Sequence, residues 1–141
     1  MKSGWYYGNY YAVKPLKGQR QQLIMGYEQG KRGGDWEIFM GIFPSQCTWK
    51  SMRRSLVWAI PTSTNKKSST LSISLALEAL KEIEEEIQAT SPYFRNTIYI
   101  DGMDYRRLHA YSRILTKEKY GYKKSSVKSE WCELPKLYKK I

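Results

Sequence analysis

The chain has 141 residues, 24 Lys and Arg against 13 Asp and Glu, and a formal charge of +11. That length suits one domain with a real core, and a hydrophobic content of 41% with 14% aromatics excludes a disordered chain. No apolar run approaches the roughly 20 residues that cross a bilayer, the opening MKSGWYYGNYY carries no apolar region of a signal peptide, and two distant cysteines with one histidine cannot supply the about four ligands of structural zinc. The expectation is a cytoplasmic protein with reduced thiols and no membrane partner.

In chain order, the first sixty residues read as strands and turns. Trp5–Tyr11 is aromatic and β-prone, with Gly8-Asn9 as a tight turn or a bulge. Gln22–Tyr27 and Trp36–Phe43 form a pair of strands around the glycine-rich stretch Glu28–Asp35, a hairpin loop. Gly26 and Gly41 inside these patterns point to bulges or close backbone approach. Ser55–Ile60 is a short apolar run that ends at Pro61 and reads as a buried strand.

Thr62–Thr70 is polar throughout and reads as a loop. Beyond it, Ile73, Leu77, Leu80, Ile83 and Ile87 recur at helical spacing, so Leu71–Ile87 is an amphipathic helix. The acidic run Glu82–Glu86 reads as its solvated face. Thr97–Ile100 is a short strand. Asp101 or Asp104 can cap a second helix through Leu108, Tyr111 and Leu115. Tyr120-Gly121-Tyr122 closes that helix and opens a last strand. The fold class is α+β: a mixed, mostly antiparallel sheet with a C-terminal β-α-β-α-β half. Residues 1–122 form the domain, and 123–141 a basic extension.

Charge is unevenly placed. Residues 1–60 carry net +6, residues 61–92 net −2 and residues 93–141 net +7. An anionic partner fits such an excess, with nucleic acid favoured. The aromatic cluster Trp5, Tyr6, Tyr7, Tyr10 and Tyr11, near Lys14, Lys17 and Arg20, suits stacking and phosphate contact; the plainer alternative is tyrosines packed on a sheet. Arg106, Arg113, Lys123 and Lys124 extend the basic surface. A polar segment before a helix is an anion site, because orphan N–H groups and the helix dipole meet there. Asn65, Lys66, Lys67, Ser68, Ser69 and Thr70 supply such a segment; the alternative is an ordinary capped helix.

Asp104, with Tyr111 seven residues on and Gly121-Tyr122 opening the next strand, resembles the C-terminal signature of the GNAT superfamily of acyl-CoA-dependent N-acyltransferases. The resemblance covers about residues 55–123. It implies a sheet that splays to hold acetyl-CoA or another acyl-CoA, a pyrophosphate held near Asn65–Thr70, and Tyr111 as the general acid for the departing thiolate. The family loop has the form Gln/Arg-x-x-Gly-x-Gly/Ala, whereas 62–70 holds no glycine. Asn65-Lys66-Lys67-Ser68-Ser69 is similar to the loop of phage Mom-type DNA-modification proteins, which implies modification of a base amine in DNA. His109, two residues from Tyr111, reads as a surface residue. The other class of function is a non-catalytic basic protein that binds nucleic acid or a host factor.

Overall fold

The computed structural model describes residues 2–6, 8–16, 20–30, 34–48, 66–92, 95–100, 105–128 and 135–141. In chain order these form β1 (Gly4–Tyr6), β2 (Asn9–Leu16), β3 (Gln21–Gln29), β4 (Asp35–Pro44), α1 (Lys66–Thr90), β5 (Thr97–Ile100), α2 (Tyr105–Leu115), β6 (Lys123–Lys128) and β7 (Pro135–Lys140). The strands hydrogen-bond in the order β1-β2-β3-β4-β5-β7-β6. The pairs β1/β2, β2/β3, β5/β7 and β6/β7 are antiparallel, and β4/β5 is parallel. The protein is therefore mixed α+β with a mostly antiparallel sheet. The expected strand Ser55–Ile60, both candidate caps Asp101 and Asp104, and Cys132 lie outside the described residues.

The chain divides into two compact units, residues 1–27 with 39–89 and residues 28–38 with 90–141. In the first, Tyr10–Val13 and Gln22–Tyr27 are buried without interruption. Strands covered on both faces need apolar residues at every position, which is why these segments read as runs rather than alternations. On one face Tyr11, Val13, Ile24 and Phe43 cluster, with Tyr6, Phe39 and Cys47 packed against them. Gly26 sits where a Cβ would lie 2.7 Å from the Phe39 ring and 2.8 Å from Tyr11, so the close approach expected there is present. The opposite face of β2 carries Tyr10, Ala12 and Lys14, and Tyr10 and Lys14 both reach Glu82 of α1. Ala79, Leu80, Ile83 and Ile87 are buried on that helix, each large one worth about 1.5–3 kcal/mol relative to exposure. Ile73, expected in the same stripe, is 41% exposed.

In the second unit, Ile98 and Leu137 are fully buried, with Trp36, Ile100, Leu115 and Tyr122 nearly so. Asn96 ties its edges together. Its Oδ1 accepts from Trp36 Nε1 at 2.9 Å, its Nδ2 donates to the Ser91 carbonyl at 2.9 Å, and its carbonyl accepts from the Ile141 amide at 2.9 Å. Gly34 closes the β4 start against Arg95, with a φ of +92° and a virtual Cβ 2.6 Å from the Arg95 carbonyl oxygen. The Thr97 amide donates to the Gly34 carbonyl at 2.7 Å. Only glycine fits that position.

Two expectations change here. Residues 123–141 are no mere extension, since they contribute β6 and β7 and the fully buried Leu137. Lysine-rich composition concealed the alternation Lys136-Leu137-Tyr138-Lys139, in which one position faces the core. The first helix also begins earlier than expected, at Lys66. Lys, Ser and Thr with no intervening Gly or Pro do not prevent helix, so the segment expected as loop supplies the opening turns.

Candidate functional site

Lys66, Lys67, Ser68, Ser69 and Thr70 are the first five residues of α1, and Asn65 lies outside the described residues. The amides that open a helix have no intrahelical partner and can face an anion, and these residues stand in the opening turns. No acidic residue stands in this first turn to repel an anion.

Within the N-terminal aromatic cluster Tyr10 and Tyr11 are structural, whereas Trp5 is 50% exposed. Tyr10 and Tyr11 are buried, at 9% and 4% exposure, and neither offers a ring face for a base. The Tyr10 hydroxyl donates to Glu82 Oε1, and Lys14 Nζ lies 2.8 Å from Glu82 Oε2. Burial, then the hydrogen bond and charge of Glu82, push the Tyr10 hydroxyl well above the usual tyrosine range. For Glu82, burial works upward, but the hydrogen bonds from Lys14 and Tyr10 prevail and hold the carboxyl below its ordinary value. Tyr27, whose hydroxyl accepts from the Tyr10 amide at 3.5 Å, is raised chiefly by burial. The stacking role for Tyr10 and Tyr11 and the phosphate role for Lys14 are thus corrected: Glu82, expected on a solvated face, occupies Lys14. Tyr6 is half-buried against the core, with its hydroxyl donating to the Lys2 carbonyl at 2.7 Å. Tyr7 and Lys17 lie outside the described residues, and Arg20 is exposed.

In the second unit, Tyr111 is a half-buried residue of α2, His109 and Arg113 are exposed on the same helix, and Arg106 lies in its first turn. Lys123 and Lys124 are exposed at the start of β6. Sequence reasoning missed the residues that β5 and β7 present beside them. Register pairs Thr97 with Lys140 and Tyr99 with Tyr138, while Lys123 pairs with Tyr138 from the other side. Ile98, Ile100 and Leu137 occupy the alternate, buried positions. Thr97, Tyr99, Tyr138 and Lys140 therefore share the opposite face. With Lys124 and Ser125 they line a cavity of about 300 Å³. A period-two pattern in Thr97-Ile98-Tyr99-Ile100 was the available signal; the pairing with β7 was not visible in sequence.

Comparison with protein-family models, curated proteins and solved structures gave no match.

Proposed function

We propose that the chain is a GNAT-like, acyl-CoA-dependent N-acyltransferase whose acceptor amine is carried by an anionic partner, with nucleic acid favoured. One observation carries the reading. The parallel partners β4 and β5 are joined in sequence through α1, whose first turn is Lys66-Lys67-Ser68-Ser69. The order β4-α1-β5-α2-β6 supports the β-α-β-α-β half that the resemblance implies. Backbone amides of the first turn, with the two lysines, would hold the pyrophosphate. Acyl-CoA, when bound, supplies an activated thioester carbonyl. An acceptor amine would form the new N–C bond as the C–S bond breaks, Tyr111 would supply the proton that the sulfur leaving group takes up, and the nitrogen would give up its own proton to solvent. A base amine in DNA, as Mom-type modification implies, would need to leave the stack first.

Titration with acetyl-CoA tests this. At a hundredfold excess over the dissociation constant, stabilisation should reach about 2.7 kcal/mol, and Lys66→Ala with Lys67→Ala should remove it. A melting temperature unmoved by CoA at about millimolar concentration overturns the proposal.

The second reading, a non-catalytic basic binding protein, is favoured by the exposed cations Arg113, Lys123, Lys124 and Lys140 of the second unit. It needs no acyl group. Its mark is nucleic-acid affinity that falls with salt, with a log–log slope of about −0.9 per phosphate contacted on duplex.

A further inference from the structure

We infer that the face of β5 and β7 carrying Tyr99 and Tyr138 is a binding site for single-stranded nucleic acid, with these two tyrosines as the stacking platform and Lys140 as the phosphate contact. The inference rests on this sheet face alone and holds with or without acyl transfer.

The cross-strand register places Tyr99 directly opposite Tyr138, so the two rings rise from one pleated surface about 5 Å apart at their roots. Both are half-buried. Thr97 and Lys140 form the next pair on this face, and Ser125 adds a hydroxyl at the cavity rim. Successive bases stack on such sheet-borne aromatics, because every base has a π-face, while adjacent cations follow the backbone.

The charges around the rings differ in availability. Lys136 is paired with Glu37. Lys140, exposed and lining the cavity, makes no ion pair among the described residues. The cavity is at the small end of ligand sites. Charge argues for a polyanion and paired aromatics for unstacked bases. A duplex keeps its bases stacked internally and would use the lysine only; an acidic peptide would not use the rings.

The experiment measures binding of the full chain to a fluorescent oligothymidylate about a dozen nucleotides long, against salt, with duplex DNA and polyglutamate as competitors. Tyr138→Leu should weaken binding about tenfold or more, and Tyr138→Phe should restore it. Lys140→Gln, which touches an exposed side chain only, should reduce the salt slope by about 0.7. Unchanged affinity in Tyr138→Leu, an unchanged slope in the Lys140 variant, or equal competition by duplex or polyglutamate overturns the inference. A missing acetyl-CoA shift alongside intact oligonucleotide binding removes only the transferase proposal.

Discussion

Tyr10 with Lys14 and Tyr138 with Lys140 are the same residue types on similar strands, yet the two units use them differently. In the first unit a carboxylate from α1 stands between the partners: Glu82 accepts from Tyr10 and pairs with Lys14. The tyrosine is buried and the lysine's charge is spent inside the fold. In the second unit the tyrosine stands opposite another tyrosine, and the lysine is exposed beside a cavity. Net charge counts both lysines equally. What separates structural from available charge is the presence of a carboxylate within reach.

The largest expected effect tests that contrast on the aromatic side. Tyr10→Ala should cost about 3–5 kcal/mol of stability, as for any large core aromatic. Tyr138→Ala should cost about 1 kcal/mol and show its main effect in oligonucleotide binding. Chemical denaturation of both variants checks this, and equal losses would erase the distinction.

Next in size is Asn96→Ala. It leaves the Trp36 N–H without its acceptor in a buried setting, for a loss of about 1–3 kcal/mol. Tryptophan fluorescence of the folded state should change with it, since Trp36 loses its polar contact.

Glu82→Gln should cost about 1 kcal/mol near neutrality, with a specific pH dependence. The folded-state carboxyl lies below its ordinary 4.5. Its contribution is therefore full above that value and fades as pH falls through the lower folded value. Wild-type and variant stabilities should converge in acid. Tyr10 acts at the other end. Its hydroxyl is raised above the ordinary 10.0, so stability present below pH 10.0 is lost as pH rises toward the folded value, and Tyr10→Phe should remove that alkaline loss. Parallel pH profiles for wild type and variants would contradict the Tyr10–Glu82–Lys14 assignment.

The smallest effect is expected from Lys136→Ala. Its partner Glu37 is 50% exposed, and such a surface pair contributes about 0–1 kcal/mol.

Much of the fold was legible because local periodicity carried it. Thr97–Ile100 alternates, and Leu80, Ile83 and Ile87 mark the buried side of α1. The β6/β7 pair was hidden because its lysines mask a two-residue alternation, and only pairing with β5 shows which positions turn inward. The candidate site was legible in part. The lysine- and serine-rich composition before the apolar stripe was visible, but its place in the opening turns of α1 rather than in a loop was not. That Tyr10 and Tyr11 are buried and Lys14 pairs with Glu82, whereas Tyr99 and Tyr138 stand opposite each other beside a cavity, depends on contacts between residues distant in sequence. Glu82, for instance, lies 72 residues from Tyr10.

The most direct test compares Lys14→Gln with Lys140→Gln, two substitutions identical in charge, by the salt dependence of oligothymidylate binding. Lys14→Gln should leave affinity and slope unchanged while lowering stability, and Lys140→Gln should weaken binding and reduce the slope by about 0.7 with stability intact. Equal losses of binding in both, or a loss in Lys14→Gln alone, would contradict the claim that Lys14's charge is spent on Glu82 whereas Lys140's is available to a partner.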